Sequence, residues 1–91
     1  MIPKDLSVDN ISKIYKKIRP FINQTPFLKC PDYIDNYFST NLFFKCEFLQ
    51  KSGSFKARGA INNIISQDQN KFNKGITAVS AGNHAIAASF V

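Results

Sequence analysis

The spacing of apolar and polar residues along the chain predicts alternating helices and strands. An amphipathic helix is expected to start near Ser7 and to end before Pro20, because apolar residues recur there every three or four positions. Two short apolar runs, residues 41–47 and 75–80, have the length and composition of strands. The apolar positions of the helix are Ile11, Ile14, Tyr15 and Ile18.

A helical pattern follows each predicted strand. After the first, apolar residues recur with helical spacing, and Ser52 or Ser54 is available as the N-cap. After the second, the alanine-rich residues 85–88 favour a helix. This order predicts an α/β fold with parallel strands joined by a right-handed crossover, in which ligands bind beyond the carboxyl ends of the strands. The helical positions after the first strand are Ala57, Ala60, Ile61, Ile64 and Ile65.

Two polar motifs lie at these strand ends. Residues 51–60 contain Lys56 beside Phe55 and several small residues, and residues 80–84 form a glycine-containing turn at a helix start. Because free N–H groups at a helix start attract anions, the pair suggests a lysine nucleophile facing an anion-binding loop. Taken singly, the lysine is as well explained by a solvated side chain, and Ser80 and Asn83 by helix capping.

Four groups of residues between positions 25 and 85 are informative when they are taken together. They are Thr25-Pro26 with Leu28; Leu42-Phe43-Phe44-Lys45-Cys46-Glu47 with Gln50; Gly53-Ser54-Phe55-Lys56 with Arg58-Gly59-Ala60; and Ser80-Ala81-Gly82-Asn83-His84-Ala85. In this order and separation they resemble the serine/threonine dehydratase and serine racemase family.

The resemblance implies a pyridoxal 5′-phosphate enzyme of fold type II. This is a two-domain α/β fold, tryptophan-synthase-β-like, with open parallel sheets flanked by helices. Residues 1–75 would begin the larger domain, which carries the cofactor lysine, and residues 76–91 would begin the smaller one, so the two predicted strands would belong to different sheets. By position, Lys56 forms the Schiff base, Phe55 packs beside the cofactor ring and Asn83 hydrogen-bonds the cofactor's 3′ oxygen. The loop implied to hold the substrate carboxylate consists of Ser80, Ala81, Gly82, Asn83 and His84.

The implied reaction is β-elimination, which converts L-threonine, L-serine or both to a 2-oxo acid and ammonia. A lysine amine acts as a nucleophile only when neutral, and the freed Lys56 amine would lie close enough to Cα to take its proton. Serine racemase is the alternative within the family. Racemases place a second serine where this chain has Ala81, and a methyl group cannot transfer a proton, so we expect a dehydratase.

The other conspicuous residues are expected to have structural roles. His84 is the only histidine, so a metal site is poorly supported and none is expected. Glu47, the only glutamate, is a candidate partner for Arg58. Cys30 and Cys46 suit free thiols in a reducing compartment. Packing in the core or between domains is expected for Phe43, Phe44 and Phe48.

Composition leaves one other class open. A formal net charge of +6 over 91 residues also suits a basic nucleic-acid-binding module. Such a module needs exposed aromatic rings, whereas Phe43, Phe44 and Phe55 are expected to be buried, so nucleic acid is not an expected partner. Because no apolar run approaches the ~20 residues that span a bilayer, we expect no membrane partner and a cytoplasmic location.

Two strands are too few for an independently stable sheet. We therefore expect the chain to be the N-terminal part of a longer protein, inactive by itself. At full length the protein is expected to act on a small amino acid and to form a homo-oligomer.

Overall fold

The computed structural model describes residues 4–91, which form four α-helices and one small sheet. Short 3-10 turns connect them at Arg19–Phe21, Glu47–Leu49, Lys51–Gly53 and Gln69–Phe72. The helices and strands, in chain order, are α1 (Val8–Ile18), β1 (Phe27–Lys29), α2 (Asp32–Phe38), β2 (Phe43–Lys45), α3 (Lys56–Ile65) and α4 (Asn83–Phe90).

Helix α1 has the bounds that its sequence predicts. The Ser7 hydroxyl accepts a hydrogen bond from the Asn10 backbone N–H at 3.2 Å, so the predicted serine caps the first turn. At the other end Pro20 falls in the turn Arg19–Phe21, where its missing N–H and fixed φ end the α-helix. Local signals therefore define this helix.

The single sheet among residues 4–91 pairs β1 with β2 in antiparallel orientation. Leu28 lies opposite Phe44, in the middle of the pair. The strand predicted for residues 41–47 is confirmed at its centre. Its partner β1 lies in the segment that follows Thr25 and Pro26, where the sequence pattern had indicated no strand.

The strand predicted for residues 75–80 is wrong. That segment has no regular secondary structure, although α3 and α4, the helices predicted after each motif, are both present. A strand needs a neighbour for its backbone hydrogen bonds, and none lies beside this segment within residues 4–91. The parallel crossover predicted from strand, helix and strand is therefore absent from the described part of the chain.

The core of the described chain is small and lies between α1 and α3. Ile18, Ala57 and Ile61 are buried there, and α4 packs against α3 with Ala87 buried. Within residues 4–91 the three phenylalanines are not buried in a core, because a two-stranded sheet without a covering layer buries few rings, although Phe43 stacks on Phe27 with ring centres 5.3 Å apart. Packing between domains stays a prediction. Phe43, Phe44 and Phe48 are 51%, 54% and 70% exposed.

Candidate active site

Lys56 is the first residue of α3, and a tight turn leads the chain into it. Ser52 and Gly53 both have left-handed backbone angles, with φ of 60° and 75°. Ser54 is then extended, and its hydroxyl accepts a hydrogen bond from the Lys56 backbone N–H at 3.4 Å. Of the two serines proposed as caps, Ser54 is the one that contacts the first turn. Phe55 flanks the helix and makes no side-chain cap bond.

The side chain of Lys56 borders a cavity of about 660 Å³, which we call the lysine cavity. Phe55 and His84 also line it, and the Lys56 Nζ atom lies 5.3 Å from the centre of the Phe55 ring. The cavity lies between α3 on one side and residues 75–78 with α4 on the other. Its apolar walls include Ala60, Ile64, Ile76 and Ala88.

The predicted carboxylate loop reaches this cavity only through His84. Ser80, Ala81, Gly82 and Asn83 are exposed and do not line its wall. The Ser80 hydroxyl accepts a hydrogen bond from the Gly82 N–H at 3.1 Å, which shapes the turn before α4. Neither serine nor asparagine caps α4, since its flanking residue is Gly82 and makes no side-chain bond. The first turn of α4 therefore keeps N–H donors for an anion.

A second group of polar side chains lies beside α3. The Arg58 guanidinium donates from Nε to Glu47 Oε2 at 2.7 Å and from Nη2 to Glu47 Oε1 at 2.8 Å. The Thr25 hydroxyl donates to the same Oε1 at 2.6 Å. The pairing of Glu47 with Arg58 that the sequence suggested is confirmed. We call Thr25, Glu47 and Arg58 the Glu47 clamp.

The electrostatics of the Glu47 clamp favour the ionised carboxylate. Hydrogen bonds from Arg58, with a smaller effect of the Thr25 hydroxyl, outweigh the opposing effect of burial and together lower the pKa of Glu47 from its ordinary value of 4.5 to about 2. The same pairing raises the pKa of Arg58. Both groups are therefore charged throughout the physiological range.

Gln50 forms a second link between the segments before and after the sheet. Its side-chain oxygen accepts from the Asn23 N–H at 2.8 Å and from the Lys51 N–H at 2.9 Å. Its amide nitrogen donates to the Asn23 carbonyl at 2.9 Å. Gln50 is buried, and these bonds satisfy its amide. Sequence reasoning assigned Gln50 no role beyond the family resemblance, because two of its three bonds are to the backbone of Asn23, 27 residues away.

Other candidate chemistry in the described residues is limited. Cys30 and Cys46 are buried free thiols, and burial raises the pKa of Cys30. Among residues 4–91 no three His, Cys, Asp or Glu side chains lie close enough to hold a metal ion. In the same range, none of the helices is long and apolar enough to cross a membrane.

The lysine cavity fits the ring of an aromatic aldehyde cofactor. It offers the Lys56 amine at a helix start, an aromatic side chain beside that amine and apolar walls, within the size range of small-molecule sites, and Lys71 brings a second amine to its wall. An amine can condense with an aldehyde, and the apolar walls suit a flat ring. The donor set therefore matches pyridoxal phosphate at its reactive end.

Comparison with known proteins identifies the class. Residues 18–91 match the family described as pyridoxal-phosphate dependent enzyme, and the chain belongs to that family. It is 41% identical over 85 residues to serine racemase of Dictyostelium discoideum, covering 93% of this chain and 26% of that protein. It is also 41% identical over 80 residues to catabolic L-threonine dehydratase of Staphylococcus aureus, covering 88% and 23%.

A solved structure shows the same fold. The maize serine racemase structure superposes with a TM-score of 0.79 at 40% identity, over 90% of this chain and 26% of that chain. The resemblance, the fold class and pyridoxal phosphate as the cofactor of the family are thereby confirmed. The chain spans about a quarter of the length of the relatives it matches.

Membership of this family favours the enzyme class over the nucleic-acid-binding class. The argument from buried aromatic rings does not separate the two, because Phe43, Phe44 and Phe55 are more than half exposed. The distinction rests on the family match and on the placement of Lys56 in the lysine cavity.

Proposed function

We propose that the chain is part of a pyridoxal-phosphate-dependent dehydratase that converts L-threonine, L-serine or both to a 2-oxo acid and ammonia. The observation that carries the proposal is that Lys56, Phe55 and His84 border one cavity in a chain of this enzyme family. The relatives include proteins named threonine dehydratase and β-hydroxyaspartate dehydratase, which supports elimination as the reaction type.

Each candidate residue has a distinct task in this proposal. Lys56 would hold the cofactor covalently, and its amine, once free, would take the Cα proton of the substrate. Phe55 would pack against the ring. Asn83 does not line the lysine cavity, and its hydrogen bond to the ring's oxygen substituent is assigned from the family resemblance alone. When bound, the cofactor would supply an electron-withdrawing ring that stabilises the electron pair left at Cα. The Cα proton and the β-hydroxyl would be lost together as one water, and hydrolysis of the released enamine would yield the 2-oxo acid and ammonia.

The substrate carboxylate is assigned to residues 80–84. The turn before α4 presents Ser80 and Asn83, and the uncapped start of the helix offers N–H donors and a positive dipole end. An anion held there would lie beside His84, which already borders the lysine cavity. The assignment of residues 1–75 and 76–91 to two domains belongs to the same proposal, and the position of the cavity between α3 and α4 supports it.

Racemisation of serine is the second candidate, because several relatives are named serine racemase. Racemisation requires a proton donor on each face of Cα, and Lys56 serves one face in our proposal. The exposed side chain of Ala81 offers no proton for the other. We therefore place elimination first.

Covalent labelling of the full-length gene product tests the assignment of Lys56. The protein is mixed with less than one equivalent of pyridoxal phosphate, reduced with borohydride and mapped by peptide mass spectrometry. The pyridoxyl group is expected on Lys56, and L-threonine is expected to yield 2-oxobutanoate. Labelling of another lysine by the unmodified protein would refute the assignment.

A matched pair of variants sharpens the test. Lys56→Ala is expected to abolish both the label and the product. Lys71→Ala serves as the control, since Lys71 lines the same cavity and its loss is expected to leave Lys56 labelled. A homo-oligomeric state and a cytoplasmic location remain predictions from the sequence.

A further inference from the structure

The first turn of α3 has an unfavourable charge pattern. Lys56 and Arg58 are both in it, and the turn, which lies wholly within the described residues, contains no acidic side chain. A helix N-terminus carries a partial positive charge, so two cations there repel it and each other. Glu47 supplies the missing negative charge from the separate turn Glu47–Leu49.

The contact between Glu47 and Arg58 is directional. Two parallel N–H···O bonds, at 2.7 and 2.8 Å, hold the planar guanidinium against the carboxylate. Such a fork fixes orientation as well as distance, which a lysine at the same place would not do. The side chains are only 17% and 27% exposed, so water competes weakly for these bonds. The hydroxyl of the buried Thr25 donates a second hydrogen bond to Glu47 Oε1, which helps to hold the carboxylate in place.

Lys56 and Arg58 border different cavities. Lys56 lines the lysine cavity, whereas Arg58 and Glu47 line a second one of about 900 Å³. Residues two apart on a helix point to different sides of it. Holding the Arg58 side chain in one direction therefore also limits how the first turn of α3 can rotate about the helix axis. The direction of the Lys56 side chain is limited with it.

We propose that Glu47 is a positioning residue for Lys56. Through its two bonds to Arg58 it sets the rotation of the first turn of α3, so that the Lys56 amine points into the lysine cavity. This inference rests on the proposed function of Lys56. It goes beyond a stabilising role for the ion pair, because it links Glu47 to the reactivity of one amine on the other side of the helix.

The test measures the rate at which Lys56 of the full-length gene product reacts with substoichiometric pyridoxal phosphate. Samples are trapped with borohydride over time, the Lys56 peptide is quantified and circular dichroism records the folded fraction. Glu47→Gln is expected to slow labelling by about 10- to 100-fold while the protein remains folded, the range found when a reacting group is misplaced by about an ångström. The doubly substituted Glu47→Arg, Arg58→Glu protein reverses the pair and is expected to recover part of the rate.

Arg58→Lys provides a second variant should Glu47→Gln not fold. It retains the charge but loses the two-pronged contact, so slower labelling in a folded protein is again expected. The matched control is Asp35→Asn, which removes a different ion pair, with Lys29 at 2.6 Å, while asparagine keeps an acceptor for the Leu42 N–H. This control is expected to lose stability yet label at the unmodified rate.

Three results would overturn parts of this reasoning, and they are distinct. Unmodified labelling rates in folded Glu47→Gln and Arg58→Lys proteins would refute the positioning role. Equal slowing in Asp35→Asn would show that general destabilisation is the cause. A lack of label on Lys56 in the unmodified protein would instead refute the proposed function itself.

Discussion

Acidification is expected to weaken the folded state through one identified group, Glu47. Its pKa is lowered from 4.5 to about 2 in the folded chain, chiefly by hydrogen bonds from Arg58. A carboxyl group whose pKa is lower in the folded than in the unfolded chain stabilises the fold at pH values above its pKa in the unfolded chain. That stabilisation is lost as the pH falls to its pKa in the folded chain. The stabilisation is therefore complete above about pH 5 and lost mostly between about pH 4 and pH 2.

The size of the effect follows from the shift. Each pKa unit corresponds to about 1.4 kcal/mol, so the shift from 4.5 to about 2 sets an upper bound of about 3.5 kcal/mol for Glu47. The side chains of Glu47 and Arg58 are 17% and 27% exposed, so water screens the attraction between them and the actual stabilisation is smaller than this bound. We expect a contribution of about 1–2 kcal/mol to the free energy of unfolding at pH 7.

Urea denaturation followed by circular dichroism measures this contribution in the full-length gene product. The free energy of unfolding is compared between the unmodified protein and Glu47→Gln at several values of pH. Other carboxylates titrate alike in both proteins, so the difference isolates Glu47. It is expected to be about 1–2 kcal/mol at pH 7 and to approach zero near pH 2.

Asp68→Asn is the control. The Asp68 carboxylate accepts a hydrogen bond from the Asn70 N–H, and asparagine keeps an acceptor for that bond. The change with pH is expected to be larger for Glu47→Gln than for this control, because only Glu47→Gln removes a carboxylate that accepts two hydrogen bonds from a guanidinium. A difference for Glu47→Gln that does not change between pH 7 and pH 2 would refute the assignment of the stabilisation to the ionised carboxylate.

Two further outcomes are expected from single substitutions. Gln50→Ala is expected to lower the free energy of unfolding by about 1–3 kcal/mol, because it leaves backbone groups of Asn23 and Lys51 without their partner. The control in the same urea assay is Gln67→Ala, which removes only an exposed side-chain bond to Asn63. Ala81→Ser is expected to raise the ratio of D-serine to pyruvate formed from L-serine, measured by chiral chromatography, because a hydroxyl can donate a proton where a methyl cannot. An unchanged ratio would contradict the role assigned to that position.

The parts of the fold that were predictable from the sequence depend on local interactions. Helix α1 is determined by Ser7, by Pro20 and by the apolar spacing between them, all within residues 7–20. Residues 75–80 have the composition of a strand, but a strand also requires a neighbour from a distant segment, which composition cannot reveal. Burial of the phenylalanines failed for the same reason, since it depends on a covering layer.

In the candidate site, too, features set by local sequence were predictable and features set by distant residues were not. Lys56 and Phe55 could be singled out because the motif places them at a helix start, and the structure puts both on the lysine cavity. The pairing of Glu47 with Arg58 could be guessed from the scarcity of glutamate. Thr25 joins that pair across 22 residues, and hydrogen bonds of that range leave no periodic signal in the sequence.

The antiparallel register also determines how the two thiols respond to oxidants. Cys30 donates its N–H to Leu42 and Cys46 donates its N–H to Pro26, so the cysteines lie at opposite ends of the strand pair. Four residues of extended chain separate them along the pair, roughly 13 Å, well beyond the ~7 Å that a disulfide can bridge between Cα atoms. A bond between them would require the strands to separate or slip. A disulfide between Cys30 and Cys46 would therefore form only when β1 and β2 are not paired in this register. While they are paired, oxidising conditions cannot join the two thiols.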